Sequence, residues 1–553
     1  MKKLSTLTLA ILLGAISCWA YDFVAGGICY SYAYNDNTAV NVVKYSDDNA
    51  ANAAYYKGAI NIPEKVTYSG KTYTVKSISG SAFYGCSGVT SVSIPSTVVD
   101  IGASAFLGCT GITSLSIPDA VTSISSNLCQ NCTGLKEVYI GKSVASFGTK
   151  SFSGCTSLAT LNYNAENCVG PSLTSKAWFI ECPLTTVVIG DAVKSVPSCF
   201  VPRKSTLTSL SIGKSVTKIG EFAFQRCTGL TSLTIPDWVT AIDHSAFEDC
   251  TGLKSLYIGK GVQSLDNSSF NGCTSLTSVN YNVPNYEGST TYTSGMFKDC
   301  PISTLVIGPS VKTIPIYFVS ENTVLTSVVI PNSVTTIGVG AFRGCTSLKS
   351  VTLGNSVATI GNAAFCNCKA LTSIVFPNSL TKIGNYAFET CSSLTSINIP
   401  NSVTSIGNKA FMYCSKVTTI TLGNSINYFD EGVFASCTSL ATVYNKKPDP
   451  VYISYTVFSG SNQSSATLYV PIGSRTKYIS KLDWSSFRYI KEMDFSAKGD
   501  VNGNGQVDVS DVTSLINKIL GVATYDDSAC DVNANGQVDV SDVTALINLI
   551  LGH

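Results

Sequence analysis

A phenylalanine and a cysteine return together every 23 residues through most of this chain: Ala82-Phe83-Tyr84-Gly85-Cys86, Ala105-Phe106-Leu107-Gly108-Cys109, Ala341-Phe342-Arg343-Gly344-Cys345 and Ala364-Phe365-Cys366-Asn367-Cys368. A fixed period of this length predicts a solenoid, because one such segment cannot bury its own apolar face and must stack on copies of itself. The register falls at 86, 109, 132, 155, 182, 204, 227, 250, 273, 300, 322, 345, 368, 391, 414 and 437, with Lys204 and Asn322 standing where cysteine is expected. These positions define sixteen repeats. Cys109, Cys227 and Cys345 are each 118 residues apart, and Thr110-Gly111-Ile112-Thr113-Ser114-Leu115 returns as Thr228-Gly229-Leu230-Thr231-Ser232-Leu233. A five-repeat block has therefore been duplicated in tandem.

Within a repeat such as 394–414, Leu394, Ile397 and Ile399 mark a segment of alternating apolar residues, the pattern of a half-buried strand, which Pro400 ends. Val403 and Ile406 predict a second short extended piece, Gly407 a turn, and Ala410-Phe411 a short helical turn. Stacking would supply the core, at roughly 1.5 to 3 kcal/mol for each large side chain fully buried. Strands of successive repeats then pair in parallel into long sheets. The exposed ends of such a stack need covering. Residues 21–75 are expected to cap the N-terminal end, with strands at Tyr56–Pro63 and Tyr68–Val75. Residues 76–443 form the solenoid and 444–495 the C-terminal cap, with Ala466–Pro471 as last strand and Trp484 and Phe487 as apolar cover. A linker at 496–499 leads to a separate tail, 500–553.

Fourteen of the 21 cysteines sit on the repeat register. Stacked repeats place equivalent side chains about 5 Å apart but pointing the same way, which suits a ladder of small buried thiols better than disulfides. The off-register Cys29, Cys129, Cys168, Cys199, Cys366 and Cys530 are left to pair locally or stay free. Two histidines in the whole chain exclude a Cys-His zinc site. Residues 1–20 read as a secretory signal, with Lys2 and Lys3, an apolar run from Leu7 to Ile16 and a small-residue exit at Cys18-Trp19-Ala20; acylation of Cys18 is the alternative. The run is too short to span a bilayer. The formal charge of +1 falls to about −1 without Lys2 and Lys3, so no basic field for nucleic acid exists. Residues 499–553 hold eight Asp against one Lys, which concentrates acid where a cation can use it.

The recurring Leu-x-x-Leu-x-Ile-Pro, Val-x-x-Ile-Gly and Ala-Phe-x-x-Cys elements closely resemble the BspA-like leucine-rich repeats of bacterial surface proteins over about residues 50–490. The resemblance implies a β-rich (α/β) solenoid of parallel strands, displayed outside the cell, that binds host, matrix or glycan ligands.

The tail repeats a 12-residue loop 31 residues apart, Asp500–Asp511 and Asp531–Asp542. Calcium takes oxygen ligands at loop positions 1, 3, 5, 7, 9 and 12, with glycine at position 6 for the sharp turn. Asp500, Asn502, Asn504, Gln506, Asp508 and Asp511 supply one set, and Asp531, Asn533, Asn535, Gln537, Asp539 and Asp542 the other, the glutamines through their backbone carbonyls. Two Ca²⁺ sites are expected. Each loop leads into an amphipathic helix, Val512–Leu520 and Val543–Leu551. Aspartate at position 12 and the absence of a helix before the first loop resemble the type I dockerin, a small all-α loop-helix module. That resemblance implies a cohesin-like or envelope partner and places its recognition positions at Val509, Ser510, Val540 and Ser541, although the Ser-Thr or Ala-Ser pairs common there are only partly matched. Chelation is expected to unfold this tail while the solenoid survives.

A nucleophile-base pair has only His244, inside a repeat, or His553, the last residue, to draw on. Glu221, Glu248 and Glu389 read as solvated. Tyr139, Tyr163, Tyr257 and Tyr281 read as strand-face aromatics suited to protein or carbohydrate contact. The chain is thus expected to be a secreted or surface-associated binding protein and not an enzyme, with no nucleic-acid partner and no transmembrane segment in its mature form. A non-catalytic part in a polysaccharide-degrading assembly is the alternative.

Overall fold

The computed structural model describes residues 21–179, 181–286, 295–495, 499–502, 507–525 and 527–551. The signal segment with Cys18, linker residues 496–498 and the loop residues Asn504 and Gln506 lie outside the described residues. The chain divides into two compact units, Met1–Leu253 and Lys254–His553.

In the first unit the strands Glu137–Ile140, Thr160–Tyr163, Thr186–Ile189 and Ser209–Ile212 pair in parallel, with Val138, Leu161, Val187 and Leu210 in register. The second unit repeats this arrangement at Ser255–Ile258, Ser278–Tyr281 and Thr304–Ile307. It continues through Ser327–Val329, Ser350–Thr352 and Ser373–Ile374, and through Ser396–Asn398, Thr419–Leu422, Thr442–Asn445 and Thr467–Pro471. A second row of two-residue strands runs Thr313–Ile314, Thr336–Ile337, Thr359–Ile360, Lys382–Ile383, Ser405–Ile406, Tyr428–Phe429. The fold is a parallel-strand solenoid, as its period demands.

Each slot of the period forms a column. Phe342, Phe365, Phe388, Phe411 and Phe434 stack with ring centroids 5.2–5.7 Å apart. All twenty described cysteines are buried. The register thiols do more than fill space: Cys391 Sγ donates to the Phe365 carbonyl at 3.2 Å and Cys368 to Phe342 at 3.3 Å, each reaching into the preceding repeat. Lys204 and Asn322 keep that function, donating to the carbonyls of Phe179 and Cys300. The slot therefore selects a buried donor, which satisfies a carbonyl that burial would otherwise leave unpaired.

Two local expectations are corrected. The Ala-Phe pair does not sit on a helical turn: Lys409 and Tyr413 take φ of 53° and 61°, outside the right-handed helix, and the chain makes successive tight turns closed by Met412 N–H to Lys409 O and Cys414 N–H to Phe411 O. Nor does Gly407 serve to free the backbone. A Cβ there would lie 2.6 Å from Asn385 N and 2.8 Å from Gly384 C, so glycine is required by the closeness of the preceding repeat.

The N-terminal region forms a sheet of Phe23–Ala25, Ile28–Ala33 and Asp36–Val42, then Lys65–Tyr68 paired antiparallel with Lys71–Ile78. Lys71–Ile78 pairs in parallel with both Asp36–Val42 and Asp100–Ile101, and so joins this sheet to the repeats. Gly58–Asn61 pairs with Val89–Ser93. A helix unforeseen from sequence, Asn49–Tyr55, is capped by Asp48 and offers its Asn52 carbonyl to the first ladder thiol, Cys86. At the other end Thr467–Pro471 is not the last strand, since Tyr489–Met493 pairs beyond it. Trp484 is buried between Tyr478 and Phe487 and donates its Nε1–H to Val451 O at 2.8 Å.

Candidate metal centre

Each tail helix begins three residues earlier than its apolar pattern suggests, Val509–Ile519 and Val540–Leu551, because the position-9 aspartate caps it. Asp508 Oδ1 accepts from Ser510 N at 2.7 Å and Asp539 Oδ1 from Ser541 N at 2.8 Å. Hydrogen bonds from Ser541, its hydroxyl first and then its backbone N–H, hold the half-buried Asp539 carboxyl below the ordinary carboxylate range. The position-12 aspartates reach back over the loop. Asp511 accepts from Asn502 N and Asp508 N at 3.0 and 2.9 Å, and Asp542 from Asn533 N and Asp539 N at 3.0 Å each. Both carboxylates are fully buried.

The second loop is described throughout. Asp531 accepts from Asn535 N and Gly536 N at 3.0 and 2.9 Å, Asn533 Oδ1 from Asn535 N at 2.9 Å, and Asn535 Oδ1 from Gln537 N at 2.8 Å. The oxygens of positions 1, 3 and 5 thus converge on the inner side of one turn, and Gly536 at φ 84° makes its sharp corner. In the first loop Asp500 is buried, and Asn502 Nδ2 bonds Ser510 Oγ at 2.8 Å, matched by Asn533 Nδ2 to Ser541 Oγ at 2.6 Å. The two loops share a core of Val501, Leu515, Cys530, Val532 and Leu546. The tail's one lysine, Lys518, pairs with Asp527.

The donor chemistry fits a hard cation: carboxylate and amide oxygens with buried negative charge and no basic side chain among them. Among the described residues no three His, Cys, Asp or Glu side chains cluster as metal ligands. Such loops draw half their ligands from Asn and backbone oxygens instead. Val509 and Val540 stand 72% and 70% exposed, beside the exposed Ser510 and Ser541.

The strand face differs from its sequence reading. Tyr139 and Tyr257 lie on the outward alternation, but Tyr163 and Tyr281 occupy the inward fourth strand position and are wholly buried against Phe200 and Phe318. Sequence reasoning missed Val306, Val329 and Val375, 48%, 64% and 76% exposed. Their signal was available as parity, since each stands two residues beyond an outward Ser or Thr.

Residues 76–200, 197–323, 317–441 and 358–494 match the BspA type leucine rich repeat region, about three quarters of the chain together. The chain belongs to the BspA type leucine rich repeat family. Residues 498–551 match the dockerin type I domain, a calcium-binding module, so the BspA repeats carry a calcium-binding tail. Among solved structures the chain is similar to a leucine-rich repeat protein from Bacteroides ovatus, at 25% identity over 77% of this chain and 94% of that one with a TM-score of 0.39. It is also similar to a leucine rich cell surface protein from Faecalibacterium prausnitzii, at 23% identity over 72% and 93% with a TM-score of 0.28. The pneumococcal vaccine antigen PcpA aligns at 15% identity over 86% and 98%, TM-score 0.29. No curated protein matches the chain. Among the described residues of this BspA-type chain, no helix is long and apolar enough to cross a membrane.

Proposed function

We propose that this BspA-type chain is a secreted or surface-associated binding protein whose strand face takes a protein or matrix ligand, while the tail, folded around two Ca²⁺ ions, docks to a cohesin-like or envelope protein. The observation that carries the reading is the duplicated surface of the tail. Val509-Ser510 and Val540-Ser541 are exposed at the first turn of two helices that share the same hydrogen bonds to the aspartates at loop positions 9 and 12, so one partner surface meets two equivalent sites. On the solenoid, Val306, Val329 and Val375 leave apolar area in solvent on a face otherwise lined mainly with Ser, Thr, Asn and Tyr, the composition of an interface that needs a partner. The alternative, a non-catalytic part in a polysaccharide-degrading assembly, keeps the same tail and changes the solenoid's ligand to glycan.

The test is capture of envelope and matrix proteins by the full chain, with and without EDTA. EDTA should release the tail's partner and leave the solenoid's ligand bound. Val329→Asp with Val375→Asp should weaken the solenoid ligand at least about tenfold, the loss expected of a central interface contact, without touching the tail's partner. Loss of both partners with EDTA would contradict the division of labour, and selective binding on a glycan array would favour the alternative.

A further inference from the structure

The ring column of the first unit lacks its phenylalanine at two slots, Cys129 and Val201, and the first of them carries a thiol. Phe83 and Phe106 stack at 5.4 Å, and Phe152 stacks with Phe179 at 5.1 Å, but the repeat between them carries Cys129 where the ring should be. In every fully formed repeat the ring residue and the ladder cysteine are the two ends of one turn. Cys86 N–H bonds Phe83 O at 3.1 Å, Cys109 N–H bonds Phe106 O at 3.1 Å, and Cys345 N–H bonds Phe342 O at 3.2 Å. Both side chains of that turn face the core. The same bond, Cys132 N–H to Cys129 O at 3.1 Å, closes the odd repeat, so replacing phenylalanine with cysteine brings two inward thiols to the ends of a single turn. A turn of this kind holds its end Cα atoms under about 7 Å apart, overlapping the 4.4 to 6.8 Å span that a disulfide bridges.

We propose that Cys129 and Cys132 form an intramolecular disulfide when this chain folds in an oxidising compartment. Each is 1% exposed in the folded protein, so the reaction precedes closure of the turn. One thiol, as thiolate, attacks a sulfur of an oxidised partner, either a protein disulfide or oxidised glutathione, and expels a thiolate. The second thiol then attacks the mixed disulfide and expels the other. Two electrons and two protons pass to the partner, which leaves as two thiols. Pairing gives up the Cys132 S–H donated to the Phe106 carbonyl at 3.0 Å, a weak bond, for a covalent one. It also ties the core together at a slot where the column has no ring. Cys368 shares its turn with Cys366, but that thiol sits inside the turn with its Sγ toward Glu389 at 3.6 Å; the other ladder cysteines have no second thiol on their turn, and all of these stay reduced. Export, as proposed above, supplies the oxidising compartment, whereas the pairing itself follows from the turn.

Refolding the full chain with Ca²⁺ in oxidised and reduced glutathione tests this without reference to export. Free thiols are blocked in denaturant with light N-ethylmaleimide, and the protein is then reduced and labelled with the heavy reagent. Heavy label confined to Cys129 and Cys132 is the expected result. Light label on both, or pairing of either with Cys109 or Cys155, overturns the proposal. Cys129→Phe restores the column, so it should fold and leave every cysteine light; heavy label on Cys132 in that variant would also count against the pairing.

Discussion

Lys204 shows what the ladder slot asks of a residue. It is buried where fourteen other repeats carry a thiol, donating to Phe179 O, and burial pushes its pKa below the ordinary 10.5, with Cys182 and Cys227 opposing that shift. Because the folded protein favours the neutral amine, the unfolded chain holds the extra proton between the depressed value and 10.5, and stability rises with pH across that window. Lys204→Cys should therefore raise the thermal midpoint at neutral pH, with a gain that shrinks as pH climbs toward 10.5; a gain independent of pH would contradict the assignment. The same scale distinguishes glycines. Gly384→Ala puts a Cβ 2.6 Å from Asn362 N and should cost about 1–3 kcal/mol, whereas Gly88→Ala meets the flexible Lys57 side chain and should cost little by urea titration. Equal costs would mean that the repeats can separate to admit a methyl group.

At the scale of elements, the strands and the loops were legible because their patterns are periodic: every outward Ser or Thr and inward Leu, Val or Ile recurs in step. What escaped was aperiodic or depended on parity. The helix Asn49–Tyr55 has no apolar stripe and is fixed by Asp48 and the cap around it, and Tyr489–Met493 pairs along an edge that only the folded neighbour provides. Tyr163 and Tyr281 were misplaced by one step of the alternation. Trp484 was recognised as cover, and Trp484→Ala should destabilise the C-terminal end by about 3–5 kcal/mol, read as faster hydrogen exchange in Thr442–Asn445 and Thr467–Pro471. Unchanged exchange there would remove it from the core. In the tail, Asp542→Ala removes the acceptor for both Asn533 N–H and Asp539 N–H as well as a proposed calcium ligand. It should cost calcium affinity by more than tenfold in calorimetric titration, while Ser541→Ala, which keeps Asp542, should cost far less.

The molecule as a whole joins two kinds of stability. The BspA repeats are held by nearest-neighbour columns of rings, thiols and strand hydrogen bonds and need no ion. The tail has five buried core residues around loops that gather buried carboxylates, so its folding is proposed to depend on a cation to offset them. Hydrogen exchange of the full chain, followed peptide by peptide with calcium and with EDTA, reads both at once. Chelation should abolish protection across 509–519 and 540–551 and leave the strands between 137 and 445 as protected as before. Tail helices that keep their protection in EDTA, or repeats that lose theirs with the tail, would contradict it.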